Sequence, residues 1–363
     1  NLPYTGIVCQ EVSCYRTCMH QRLFKAAVLE KQNAPLKIYT LEVPPTLSVG
    51  QVLVRVKYSG LCGKQLIEQA GTLGPDKFLP HGLGREGGGI VVAIGPGVKK
   101  VKLHDRVVLH WRKGAGIESE PPKYWCPELH SEIGCGSVTT FNEMAVVSEN
   151  RMTPIPRGIP LDIAALLGCA VTTGLGIVCN ELQVKMGQSV VVFGCGGVGL
   201  NVLQGCMLAN AYPIIGIDIV EDKLQQALIA GATHVFLPDN PELKNILGKD
   251  GADYVIDTTG QPTVMQTAWE LANSTGKVCL VAQMRHDQYL PLRTLPMHSG
   301  RAIIGSDGGS TDPSIDIPRY IQLLKSGRLQ LSSLITHRVP LTEINAIMDA
   351  ARSGKVGRAI IEM

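Results

Sequence analysis

The 363 residues carry a net charge of +3, 45% hydrophobic and 18% charged side chains. That is the balance of an ordinary globular protein, long enough for two domains. It argues against a nucleic-acid or anionic-membrane partner, and no apolar run is long enough to span a bilayer. The first 22 residues lack a secretion-signal layout. The eleven cysteines are odd in number and scattered, which argues for reduced thiols or ligands over a disulfide framework. A cytoplasmic protein is expected.

In chain order, residues 1–22 read as an extension before the first strand, Phe24–Leu29. Cys9, Cys14, Cys18 and His20 lie within it, spaced as C-x4-C-x3-C-x-H, which matches no compact zinc pattern. From Phe24 to Ile155 short alternating runs (Gln51–Tyr58, Gly89–Ile94, Asp105–His110, Glu143–Val147) are separated by Pro and Gly. They predict a mostly antiparallel β domain. The stretch Trp111–Ser137 lacks periodicity and is expected to be a long loop. Leu161–Asn180 is apolar and helix-like.

The segment Gln188–Lys223 is the most informative. Ser189–Phe193 is a β-rich apolar run of the kind buried on both faces of a parallel sheet. Gly194-Cys195-Gly196-Gly197-Val198-Gly199 then fits G-x-G-x-x-G. Its first glycine allows the tight turn, its second lets backbone approach a pyrophosphate, and its third lets helix pack against strand. The helical Leu200–Asn210 would aim its N-terminal N–H groups at the phosphates. A second strand, Ile214–Ile217, ends at Asp218, 19 residues beyond Gly199, where a carboxylate accepts hydrogen bonds from ribose hydroxyls. Asp218 favours NAD over NADP, because a 2′-phosphate there would meet like charge. Lys223 either reaches the same ribose or is a solvated helix-face lysine.

Beyond it, a helix Lys223–Ala230, strands Thr233–Phe236, Tyr254–Asp257 and Gly276–Ala282, and a helix Thr263–Asn273 continue the alternation of a doubly wound sheet. The tail reads as helix Pro313–Ser326, strand Ile335–Val339, helix Leu341–Ser353 and strand Arg358–Glu362. The fold class is therefore α/β, with a parallel nucleotide-binding sheet inserted into a β-rich domain.

Several motifs carry a family likeness: Gly60-Leu61-Cys62-Gly63, Gly84-Arg85-Glu86-Gly87-Gly88-Gly89, Gly168-Cys169-Ala170-Val171-Thr172-Thr173-Gly174, the GCGGVG turn with Asp218, and Thr336-His337-Arg338-Val339-Pro340-Leu341. With them the chain resembles the medium-chain dehydrogenases of the zinc alcohol dehydrogenase type from about Phe24 to Met363. The resemblance implies a GroES-like catalytic domain (residues 23–170), a Rossmann domain (171–309) and a return to the catalytic domain (310–363). It also implies NAD(P)-dependent alcohol–carbonyl interconversion, a homodimer or homotetramer, and Thr173, Thr258 and Arg358 near the cofactor. Catalytic zinc is held in that family by cysteines matching Cys62 and Cys169 and by a histidine where this chain has Arg85. A guanidinium cannot ligate zinc, which leaves Cys62, Cys169 and Glu86 as donors. The alternative is a metal-free cleft, with Arg85 paired to Glu86.

Lys64 stands where the family relays a proton through Ser or Thr. It either transfers protons with a lowered pKa or turns to solvent. Ile67 replaces the relay's histidine. Where a four-cysteine structural zinc lobe belongs, only Cys126, His130 and Cys135 occur. The replacing sequence, residues 110–125, resembles a loop in dehydrogenases of bacterial surface-sugar gene clusters. The expected activity is NAD-dependent hydride transfer from a secondary alcohol or polyol, a small sugar-like molecule included. Cys62, Lys64, Arg85 and Glu86 are its catalytic candidates. The alternatives are a zinc-independent enone or quinone reductase of the same superfamily, and a non-catalytic NAD(H)-binding regulatory protein.

Overall fold

The computed structural model describes residues 22–363, so the thiol-rich extension with Cys9, Cys14, Cys18 and His20 lies outside the described residues. Two β units and one parallel α/β unit make up the described chain. Strand Gln51–Gly60 is the axis of the larger β unit. It pairs antiparallel with Glu86–Ile94 on one side and with Met144–Ser148 over its first half. At its far end the last strand, Arg358–Glu362, joins it with Ile360 opposite Gly60. This pairing carries the C-terminal tail back to the chain entering Cys62, where Leu61 N donates to Ala359 O at 3.0 Å. Short strands Leu23–Leu29, Lys37–Glu42, Lys123–Cys126, Ser131–Gly134 and His81–Gly82 close into a small barrel.

Lys123–Cys126 and Ser131–Gly134 correct the expectation of a structureless loop over Trp111–Ser137. Each is four residues long; the first alternates in burial and the second buries Ile133, so that Tyr124, Cys126 and Ile133 turn into the barrel core. Proline and charge around such short runs hide a period of two, and their pairing with Glu42 and His81 is non-local. The run Leu161–Asn180 is likewise not one helix. Helix Leu161–Leu166 stops before Gly168-Cys169, Ala170–Gly176 follows, and a π-type turn occupies Ile177–Glu181. A Cβ on Gly168 would lie 2.2 Å from the Leu109 carbonyl oxygen. Only glycine therefore lets the segment carrying Cys169 lie against the strand that begins at Glu86.

The parallel sheet has the spatial order His234–Phe236, Ile214–Ile217, Val190–Phe193, Ala252–Asp257, Ala272–Leu280, Ala302–Gly305. Numbered along the chain this is 3-2-1-4-5-6, the doubly wound arrangement. Strand order reverses between Val190–Phe193 and Ala252–Asp257, so the ligand crevice lies beyond the carboxyl ends of these two strands. A short helix Glu242–Leu247, unmarked by any strong period, fills one crossover. No helix among the described residues is long and apolar enough to cross a membrane.

Candidate active site

The glycine turn sits at the switch point. Gly194 has φ +88°, and its backbone is tied down by the Thr258 hydroxyl, which donates to the carbonyls of Phe193 and Gly194, both at 2.9 Å. A Cβ on Gly199 would stand 1.9 Å from the Gly194 carbonyl oxygen, so this glycine sets the distance between helix and strand. A Cβ on Gly196 would meet nothing within 4 Å. That open space lies at the start of helix Gly197–Leu208, whose first N–H groups have no intrahelical partner. The cradle fits a dinucleotide's pyrophosphate.

Asp218 is buried, and its carboxylate accepts from Cys195 N at 2.8 Å and Val220 N at 3.0 Å. This fixes the carboxylate beside the turn, with lone pairs left for ribose hydroxyls. Lys223 lies in the first turn of helix Glu221–Ile229. Buried Thr173 belongs to helix Ala170–Gly176, which packs on Gly197–Leu208. The protein is expected to bind NADH on the order of tenfold or more tighter than NADPH, because Asp218 opposes a 2′-phosphate. Quenching or enhancement of nicotinamide fluorescence in parallel titrations measures this, and equal or tighter NADPH binding would refute it.

Arg358 links the turn to the second half of the site. Its guanidinium reaches within 3.1 Å of where a Gly197 Cβ would be. It also donates to Leu61 O at 2.7 Å and forms an ion pair with the fully buried Glu86. Glu86 further accepts from Ala170 N at 3.3 Å. Its expected pairing with Arg85 is therefore corrected. Glu86 opens the strand and pairs with Arg358, while Arg85, one residue before the strand, goes to Trp111 instead. The Arg85 guanidinium stacks 4.4 Å over the Trp111 ring.

Cys62 and Cys169 meet with their sulfurs 3.9 Å apart, close to the edge of a zinc–thiolate tetrahedron. The third donor is the difficulty. Arg85 stands where the family has a ligand, Glu86 is occupied by Arg358, and the described residues hold no cluster of three His, Cys, Asp or Glu able to bind a metal. The set Cys62, Glu86 and Cys169 therefore does not fit a catalytic zinc. The Cys169 thiol donates to Cys62, and with the Arg85 and Arg358 guanidiniums close by, Cys62 is held well below the ordinary thiol range. Cys169 is driven correspondingly upward. Cys126 and Cys135 lie in the barrel core, where burial pushes the Cys135 thiol to about 11.

A cavity of about 1010 Å³ is lined among others by Lys64, Glu68, Arg85 and Trp111, with neither sulfur in its wall. Lys64 Nζ crosses to the parallel-sheet unit and donates to Gln283 Oε1 at 2.8 Å. It does not turn away to solvent. Burial, aided by Arg85 and opposed by Glu68, lowers its pKa below the usual lysine range. Glu68 lies one turn further along helix Gly63–Ala70, and burial raises its carboxyl pKa against the pull of Arg85 and Lys64. Sequence reasoning missed Glu68, Trp111 and Gln283. The i,i+4 spacing of Lys64 and Glu68 was the one available signal, since it puts both on one helix face.

The sequence matches the alcohol dehydrogenase GroES-like domain over residues 48–157 and the zinc-binding dehydrogenase family over residues 197–326. Among curated relatives, the S-(hydroxymethyl)glutathione dehydrogenase of Paracoccus denitrificans is 30% identical, over 93% of this chain and 99% of its own length. An alcohol dehydrogenase class-3 from Cereibacter sphaeroides is also 30% identical, with the same coverage. Among solved structures, an alcohol dehydrogenase zinc-binding domain protein from Burkholderia ambifaria superposes with TM-score 0.86 at 27% identity, over 94% of this chain and 99% of that one. The benzyl alcohol dehydrogenase of Acinetobacter calcoaceticus gives 0.84 at 26%, with the same coverage.

Proposed function

The chain belongs to the zinc-type alcohol dehydrogenase family of medium-chain dehydrogenases, and on that premise we propose that it oxidises a secondary alcohol or polyol, sugar-derived substrates included, with NAD and without a catalytic zinc. The observation that carries the metal-free part is the side-chain set around the sulfur pair, where a stacked guanidinium replaces the third donor. The cofactor would be held by Gly194, Gly196, Gly197, Val198 and Gly199 at the pyrophosphate, by Asp218 with Lys223 at the adenosine ribose, and by Thr173, Thr258 and Arg358 further along. When bound, NAD supplies the hydride acceptor.

The chain's own residues then have to remove the hydroxyl proton and support the alkoxide. Lys64 is the base: uncharged, it accepts the proton as the carbinol C–H bond breaks, and Gln283 holds its amine in place. Arg85, fixed by Trp111, faces the developing oxyanion, where a cation is worth a few kcal/mol in a dry site. Glu68, one turn from Lys64, passes the proton outward in place of the relay that Ile67 lacks. Two cations in one cavity also suit an acidic or phosphorylated substrate. Residues 23–170 with 310–363 are assigned to the catalytic domain and 171–309 to the NAD domain. A cytoplasmic homodimer or homotetramer completes the proposal.

The base must be neutral to act. Alcohol oxidation is therefore expected to rise with pH through a pKa below that of an ordinary lysine, and carbonyl reduction to fall across the same window. Lys64→Met should lower kcat by about 10²–10⁴-fold and flatten that pH limb, leaving NADH affinity unchanged. A pH–rate profile in Lys64→Met that matches the wild type would remove Lys64 from the mechanism. Cofactor binding with no turnover of any alcohol, polyol or enone would favour the non-catalytic NAD(H)-binding protein.

A further inference from the structure

We propose that Cys62 and Cys169 form a reversible dithiol–disulfide couple, oxidised by a hydroperoxide and restored by a small thiol. The couple does not rest on the dehydrogenase reading.

The two sulfurs, 107 positions apart in sequence, stand 3.9 Å from each other. Bond formation needs about 2.05 Å, and the remaining gap is of the size a side-chain rotation covers. Local backbone favours this. Cys62 lies in the turn between strand Gln51–Gly60 and helix Gly63–Ala70. Cys169 sits in the break between helices Leu161–Leu166 and Ala170–Gly176, at φ −150° and ψ −72°. Neither residue is inside a helix, where its sulfur would be held to one face. Cys62 is partly exposed and Cys169 lies buried behind it, so an oxidant meets the first sulfur and the second is placed to resolve the product.

The surroundings select this pair. Among the described residues Arg85 forms no salt bridge and is pinned over Trp111, and Arg358 is held at the carbonyl of Leu61, next to Cys62. Cations beside a thiol raise its reactivity toward oxidants. Cys195 and Cys279, by contrast, are buried with thiols pushed up to about 12, and Cys206 is pushed up as well. Cys179 is exposed, but its thiol is also raised by burial of the sulfur.

In the oxidation, the Cys62 thiolate attacks the peroxide. An S–O bond forms, the O–O bond breaks, and hydroxide or the alkoxide leaves. The Cys169 sulfur then attacks the sulfenic sulfur. The S–S bond forms, the S–O bond breaks, and the oxygen departs as water with the proton from Cys169. The sulfur pair loses two electrons and the peroxide gains two. Thiol–disulfide exchange with two equivalents of a small thiol reverses the change.

The test treats the full-length protein with limiting hydrogen peroxide and maps it by peptide mass spectrometry. A Cys62–Cys169 cross-linked peptide that disappears with dithiothreitol is expected. In Cys169→Ser, Cys62 should instead be trapped by dimedone as the sulfenic acid. If both thiols stay free while other cysteines react, or if Cys62 joins a different cysteine, the proposal fails. Far-UV circular dichroism of the oxidised protein should match that of the reduced protein, and loss of helical signal in parallel with disulfide formation would show general damage and overturn the assignment to a local couple. Absence of alcohol turnover in the reduced protein bears on the dehydrogenase reading alone.

Discussion

Arg358→Met is expected to destabilise the fold by about 3–5 kcal/mol, the cost of leaving one partner of a buried ion pair uncompensated. Glu86 is fully buried and Arg358 only 5% exposed, so water cannot take over for the lost guanidinium. The variant also strips the Leu61 carbonyl of its donor, at the turn that sets Cys62. Denaturant unfolding measures the effect. The double variant Arg358→Met with Glu86→Gln should regain a large part of the loss, because it removes the orphaned charge as well. If the double variant is as unstable as the single, the damage comes from the Leu61 contact or from packing, and the ion pair is not the cause.

Two alanine substitutions in the glycine turn should separate folding from cofactor binding. Gly199→Ala forces a methyl to 1.9 Å from the Gly194 carbonyl. Helix Gly197–Leu208 must then move off the sheet, so a stability loss of a few kcal/mol should accompany loss of NADH binding. Gly196→Ala meets no protein atom within 4 Å, and Gly196 already has a backbone (φ −84°, ψ −164°) that alanine adopts readily. Its methyl instead enters the space where the pyrophosphate would pass. Stability should be unchanged while NADH affinity falls on the order of tenfold or more, as expected where close backbone approach is required. A Gly196→Ala variant with wild-type NADH affinity would mean that the dinucleotide does not lie across this turn.

These contrasts explain what could be read from sequence. The glycine turn and Asp218 are local: strand, turn, helix and acid follow one another within about thirty residues, and each has a backbone reason for its residue type. The last strand was legible for the same reason, as a short apolar run bounded by Gly357. The barrel strands Lys123–Cys126 and Ser131–Gly134 were not: they pair with each other as a hairpin, but each is only four residues long and sits among prolines and charges that hide the period of two. Catalytic-side geometry was legible in its members and illegible in its pairings. Arg85 and Glu86 are neighbours, and adjacency suggested a pair. Arg85 goes instead to Trp111, and the true partner of Glu86 arrives from a strand more than 270 positions on. Likewise Trp111 and Gln283 reach Arg85 and Lys64 only through the tertiary fold.

In the proposed mechanism Arg85 stands in for a metal. The most direct test is the zinc content of the purified protein, wild type beside Arg85→His, with activity read before and after chelation. The metal-free mechanism predicts well under one zinc per chain and chelator-resistant turnover in the wild type, with occupancy rising in Arg85→His as a third donor joins Cys62 and Cys169. One tightly held zinc per wild-type chain, whose removal abolishes turnover, would contradict it.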